Sequence, residues 1–161
     1  MQSFLVRHAE AVDETLTLRD PHRHLTAHGR DQARHLGDRL RWHDCHPVQI
    51  WTSPLVRAIQ TTELVAAGLA CGAVIEVLPA LAPDGSARDV MAALHALPAG
   101  RGVMLIGHEP ALSAIGALLV GAPDFEALGK AQAARIHDGT LRWRFAWDDE
   151  APHVNTAGSP R

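Results

Sequence analysis

Short apolar runs alternate with longer amphipathic segments along most of the chain. Ser3 to Val6 reads as a short buried strand. Asp13 to His24 is polar, carries Pro21 and reads as a loop. Thr26 is placed to cap a helix in which Ala33, Leu36, Gly37 and Leu40 recur at helical spacing to about Trp42. Asp44 to Pro47 breaks it, and Val48 to Trp51 is a second strand. Ser53 as N-cap and Pro54 at the first helical position are expected to open the next helix. Its buried face is Ala58, Ile59, Thr62, Val65, Ala66 and Leu69. Ala73 to Leu78 is a third strand, Pro79 to Ser86 a loop and Ala87 to Leu97 a helix. Pro98 to Gly102 turns into the strand Val103 to Ile106. Pro110 opens an apolar helix carrying Leu112, Ile115, Leu118 and Leu119. Ala133 to Ile136 and Leu141 to Trp147 read as two strands around the turn Asp138-Gly139.

Strands alternating with helices predict a three-layer α/β/α sandwich with a mainly parallel sheet. It is expected as one domain over residues 1–147, followed by a loose tail over 148–161 that is polar and contains Pro and Gly. In such a sheet, ligands bind outside the carboxyl ends of the parallel strands. Three strand ends carry chemistry: Arg7-His8-Ala9-Glu10; Thr52-Ser53-Pro54 with Arg57 following; and Gly107-His108-Glu109-Pro110. They are expected to meet in one pocket, with the 13–24 loop lying over it. Two histidines and two arginines around one point suit phosphate chemistry. Neutral imidazole is a competent nucleophile that forms covalent intermediates, and His8 at the end of a buried strand is held for that task. Arg7 and Arg57 offer planar forks that match phosphate oxygens. Arg57 falls in the first turn after Pro54, where the helix dipole also favours an anion. His108 adds a further donor.

Composition narrows the picture without changing it. At 161 residues the expectation is one domain able to bury a sizeable core. A net charge of -3 leaves no broad basic footprint for nucleic acid. No apolar run approaches the ~20 residues of a membrane span. Cys45 and Cys71 suggest no disulfide framework, and the first residues do not read as a signal peptide, so the expected location is cytoplasmic. Histidines at 22, 24 and 28, and at 43 and 46, sit near one another in sequence. No cysteine or carboxylate spacing around them resembles a zinc site, so neither metal nor cofactor is expected.

Four motifs carry a family resemblance. Arg7-His8-Ala9 resembles the Arg-His-Gly signature of the histidine phosphatase superfamily. Leu25-Thr26-Ala27-His28-Gly29 is similar to its Leu-Thr-x-x-Gly turn. Ser53-Pro54-Leu55-Val56-Arg57-Ala58-Ile59-Gln60-Thr61 is similar to its Ser-Pro-x-x-Arg-Ala-x-Gln-Thr motif, and Gly107-His108-Glu109-Pro110 fits its second histidine. The four stand in the family's order between about Ser3 and Trp147, and the short chain resembles the small bacterial phosphohistidine phosphatase branch. The resemblance implies a phosphoglycerate-mutase-like fold. It also implies that His8 becomes phosphorylated while Arg7, Arg57 and His108 bind the phosphoryl group. Ala9 replaces the signature glycine. Ser53 is an N-cap that also reaches phosphate, or only an N-cap. Arg23 lines the pocket entrance or is an ordinary loop arginine. Gln60-Thr61 reads as packing.

The proton donor is the larger departure. Many relatives carry a glutamate after the third strand, where Leu78-Pro79-Ala80-Leu81 offers alanine. Three carboxylates remain as candidates: Asp84 in that loop, Glu109 after the second histidine, and Glu10. A departing alkoxide needs a good general acid. A departing imidazole has a reference pKa of ≈ 6.5 and is protonated near neutrality without one. The missing glutamate and the absence of a long insertion over the pocket favour phosphohistidine on a protein phosphotransfer domain as substrate. The alternatives are a small phosphomonoester, or a non-catalytic phosphate-binding module.

Overall fold

Every second residue of the central strands points to the same face, and this alternation builds both sides of the core. The structure is a computed structural model that describes residues 1–154. Its strands and helices are β1 (Gln2–Arg7), α1 (Ala27–Leu40), β2 (Gln49–Thr52), α2 (Val56–Leu69), β3 (Val74–Val77), α3 (Ala87–His95), β4 (Gly102–Gly107), α4 (Ala111–Val120), β5 (Gln132–His137), β6 (Thr140–Ala146) and β7 (His153–Val154). Single 3₁₀ turns lie at Asp20–His22 and Pro79–Leu81. Among the described residues the strands form one seven-stranded sheet in the order β3-β2-β4-β1-β5-β6-β7. The first four are mutually parallel and the last three are added antiparallel.

Phe4 and Val6 of β1, with Met104 and Ile106 of β4, face Ala33, Leu36 and Leu40 of α1 and Val65 and Leu69 of α2. Leu5, Val103 and Leu105 face the opposite layer, against Val90 and Leu94 of α3 and Leu112 and Ile115 of α4. Both sides of β1 and β4 are therefore dry. Truncating one of these side chains to alanine costs about 2–5 kcal/mol. α1 and α2 meet through glycines: a Cβ on Gly37 would lie 2.7 Å from the Val65 carbonyl oxygen.

Pairing register places the strand ends level. Arg7 pairs with Gly107, and Thr52 with Ile106. The ladder runs one step further, with His8 N–H donating to the Gly107 carbonyl at 3.0 Å and Ser53 N–H to that of Ile106 at 2.9 Å. His8, Ser53 and His108 thus leave the sheet together at one edge.

Several local expectations change. α2 opens at Val56, with Leu55 in the capping position, so Ser53 is not its N-cap. The Ser53 hydroxyl accepts from Leu55 N–H at 3.3 Å and turns the chain two residues early. On α2, Ile59 and Ala66 are only half-buried, while Arg57 and Thr61 take places on the buried face. Leu118 of α4 is 50% exposed. The segment expected as a loose tail supplies β7, which pairs with β6 through Trp143 and Arg144. The rest of that segment, residues 155–161, lies outside the described residues.

Candidate active site

β1 delivers Arg7 and His8, β4 delivers His108, and the first turn of α2 delivers Arg57. The His8 and His108 rings stand 5.0 Å apart between centroids. His8, His108 and Arg57 are all buried, at 7%, 3% and 5% exposure. His8 Nδ1 lies 2.7 Å from the Ala9 carbonyl oxygen. A carbonyl only accepts, so Nδ1 carries the proton and Nε2 keeps its lone pair. His108 Nε2 lies 2.7 Å from the Ser53 hydroxyl.

Burial, above all, lowers the His8 pKa to about 4; the Ala9 carbonyl opposes this, while Arg57, Arg7 and Lys130 add to it. His108 falls to about 3, first through burial and then through the neighbouring positive groups, against the opposing pull of Asp20. Both rings are therefore neutral at physiological pH, which an imidazole nucleophile requires.

Four buried side-chain polar atoms among the described residues have no partner: Ser3 Oγ, Arg7 Nε, Arg57 Nε and His108 Nδ1. Three of the four belong to this cluster. An unsatisfied buried donor costs about 1–3 kcal/mol, and more when charged. An anion seated among them relieves that cost, and the start of α2 adds its dipole. The arrangement can hold a phosphoryl group against the free nitrogen of His8.

The family-like turns brace this cluster. Ala9 N–H donates to Thr61 Oγ1 at 3.1 Å, and Thr61 in turn donates to the Arg57 carbonyl at 2.8 Å. Gln60 Oε1 accepts from Leu25 N–H at 2.7 Å. Gln60 and Thr61, expected as packing, are hydrogen-bonded struts between the loop after β1 and α2. Thr26 caps α1 through Gly29 N–H at 2.9 Å and donates to Glu10 at 2.7 Å. A Cβ on Gly29 would lie 1.9 Å from the Glu10 carbonyl oxygen, so only glycine fits there.

The three candidate proton donors are placed elsewhere. Glu109 accepts from Leu128 N–H at 2.9 Å with one oxygen, and from Ser113 N–H at 3.1 Å and the Ser113 hydroxyl with the other. One oxygen braces the first turn of α4 and the other holds the segment before β5. Glu10 is bonded to Thr26. Asp84 is exposed in its loop. None of the three hydrogen-bonds to His8, His108, Arg7 or Arg57. Ser53 anchors His108. Arg23 braces its own loop, through Nε to the Val12 carbonyl at 2.7 Å and through Nη1 to Asp20 at 2.9 Å. Histidines 22, 24, 28, 43 and 46 do not converge, and among the described residues no group of three or more His, Cys, Asp or Glu is placed to hold a metal ion.

Two residues were not singled out from the sequence. Asp20 receives Arg57 Nη1 at its carbonyl, 2.9 Å away, and pairs with the same group through Oδ1 at 3.2 Å. Lys130 adds positive charge acting on His8, and its neighbour Ala131 donates to the His8 carbonyl at 3.2 Å. Pro21 beside Asp20 marked a turn and nothing more. Arg7 Nη1 also donates to the Leu128 carbonyl at 3.0 Å, which ties the segment before β5 to the site.

The model of the histidine phosphatase superfamily (branch 1) matches residues 3–82. Over 153 residues the chain is 31% identical to the phosphohistidine phosphatase SixA of Escherichia coli (strain K12), covering 91% of this chain and 94% of that one. The chain belongs to the histidine phosphatase superfamily, in its SixA-like branch. A structure of the protein histidine phosphatase SixA complexed with tungstate is similar at a TM-score of 0.84 and 30% identity, covering 91% of this chain and 97% of that one. A mycobacterial glucosyl-3-phosphoglycerate phosphatase, at 19% identity, a TM-score of 0.63 and coverage of 83% and 88%, shares the fold. The protein is thus a phosphatase with the mixed α/β fold of this superfamily, its sheet parallel at the centre. No helix among the described residues is long and apolar enough to cross a membrane.

Proposed function

We propose that this phosphatase hydrolyses phosphohistidine on a protein, such as a phosphotransfer domain, through a covalent intermediate on His8. His8 Nε2 attacks phosphorus while Arg7, Arg57 and His108 hold the phosphoryl oxygens. Water then releases phosphate from His8. The observation that carries this reading is a neutral His8 with Nδ1 bound to its own chain, facing unpartnered Arg and His donors. The substrate assignment is supported by the carboxylates. Glu10 is tied to Thr26 through one oxygen, Glu109 has both oxygens bonded, Asp84 is exposed, and none of the three hydrogen-bonds to the cluster that would hold an alkyl phosphate. An imidazole leaving group does not need a carboxylate donor there. It is supported also by the similarity to a phosphohistidine phosphatase along nearly the whole chain.

The test compares the purified chain on a phosphohistidine protein, an aryl phosphate and an alkyl phosphate. The expected order of kcat/KM is phosphohistidine first, aryl next and alkyl slowest. Converting Glu10, Asp84 or Glu109 to its amide is expected to leave phosphohistidine turnover largely intact. A fast alkyl phosphatase that loses ~10²–10⁴ in rate with one of these amides owns a dedicated general acid and works on small phosphomonoesters instead.

A further inference from the structure

A carboxylate does touch the basic cluster, but it is Asp20, and nothing in the steps above uses it. It opens the 3₁₀ turn Asp20–His22 in the loop after β1. Oδ1 lies 2.9 Å from Arg23 Nη1 and 3.2 Å from Arg57 Nη1, and Oδ2 lies 3.4 Å from Arg57 Nη2. Among the described residues it is the one carboxylate paired with Arg7 or Arg57. The Arg57 side chain is 6% exposed and that of Asp20 is 40% exposed. Asp20 therefore stands on the solvent side of Arg57, at the rim where a leaving group must depart from a phosphoryl group seated on the buried cluster.

We propose that Asp20 is a specificity residue, selecting a P–N over a P–O bond by accepting a hydrogen bond from the departing imidazole; this rests on the phosphohistidine reading. A carboxylate offers about four lone-pair sites, and Oδ2 has only one long contact, so acceptor capacity remains at the rim. Partial burial disfavours the charged form, but the Arg23 and Arg57 guanidiniums outweigh it and hold the Asp20 carboxyl below its ordinary value. It is an anion at neutral pH and has no proton to give. A departing alkoxide meets like charge there. A phosphohistidine ring protonated on the nitrogen remote from phosphorus meets an acceptor that stabilises its reactive form.

The step balances without a further reactant. The His8 Nε2 lone pair forms the new bond to phosphorus, and the substrate P–N bond breaks with its electron pair staying on the ring nitrogen. The ring departs as neutral imidazole, its remote N–H still bonded to Asp20. Water then attacks phosphorus, the P–N pair returns to Nε2, and the water hydrogens leave with the phosphate.

The experiment measures kcat/KM of the wild type, Asp20→Asn and Asp20→Ala on phosphoimidazole and on p-nitrophenyl phosphate, whose leaving group carries no N–H. Asparagine still accepts from Arg57 and Arg23 but lacks the charge. The P–N rate is expected to fall roughly 10- to 100-fold, the scale of one hydrogen bond to a charged group. The aryl rate should fall several-fold less, so the ratio collapses. Asp20→Ala should show the same collapse and serves if the amide variant fails to fold. Equal losses on both substrates would make Asp20 a mere support for Arg57 and overturn the proposal, as would no loss on either. A wild type that cleaves the aryl phosphate and never phosphoimidazole overturns the phosphohistidine reading itself, before any variant is made.

Discussion

His8 and His108 follow two neighbouring buried strands, lie 5.0 Å apart and are both held neutral, yet they differ in which nitrogen is spoken for. His8 commits Nδ1 to a carbonyl on its own chain and keeps Nε2 free. His108 commits Nε2 to a serine hydroxyl and leaves Nδ1 buried without a partner. A carbonyl fixes a tautomer, because it can only accept. A hydroxyl does not, because it can donate or accept. His108 can thus offer Nδ1–H to a phosphoryl oxygen, with Ser53 donating to Nε2, while His8 offers a lone pair. The same position at a strand end yields a nucleophile or a donor according to what the second nitrogen meets.

Breaking the comparison on the His8 side has the largest expected effect. His8→Ala should abolish turnover and covalent labelling, since it removes the one imidazole whose tautomer a carbonyl fixes with Nε2 as the free lone pair. Substantial residual turnover, measured with an aryl phosphate, would put the nucleophile elsewhere. Next comes the charge that both rings share. Arg57→Ala should cut kcat by ~10²–10³, the scale for one preorganised charge-stabilising group. Arg57→Lys should recover only part of this, because an ammonium cannot reproduce the planar fork. Full activity in Arg57→Ala would place it outside the phosphoryl site. On the His108 side, Ser53→Ala frees Nε2 and is expected to cost ~10-fold in kcat, one lost hydrogen bond of about 1–1.5 kcal/mol. A loss matching that of Arg57→Ala would mean that Ser53 touches the phosphoryl group itself.

The mildest probe is pH. Both imidazoles have folded pKa values below the ordinary 6.5, about 4 for His8 and about 3 for His108. Below pH 6.5 the unfolded chain therefore binds more protons than the folded one, and stability falls as pH falls. The loss runs from about pH 6.5 down through the folded values, and is roughly 3 kcal/mol for a shift of His8's size. Denaturant midpoints for wild type and His8→Ala should converge as pH drops from 7 to 4. Parallel curves would mean that His8 is not held neutral by the fold.

Much of this was legible in the sequence because strand burial and the strand-end motifs are local signals. The runs Ser3–Val6 and Val103–Ile106 announce a dry sheet, and Arg7-His8 and Gly107-His108 follow them directly. What escaped is set by distance along the chain. Asp20 meets Arg57 across 37 residues, and Arg7 meets the Leu128 carbonyl across 121. Neither pair leaves a local pattern. Ser53 looked like an N-cap because Ser-Pro before an apolar run usually is one. Its hydroxyl accepts from Leu55 N–H ahead of the helix and also pairs with His108, a partner that only the strand register reveals. Glu109 looked available because it follows the second histidine, but its oxygens are filled by Ser113 and Leu128, the latter 19 residues on.

The most direct test of this division between the two histidines is the position of the trapped phosphoryl group. Rapid quenching in base during turnover, followed by phosphorus NMR and peptide mass spectrometry, reads both the residue and the nitrogen. An acid-labile phosphoryl group on Nε2 of His8 is the predicted result. Phosphate on Nδ1 of His8, on His108, or on no residue at all would contradict it.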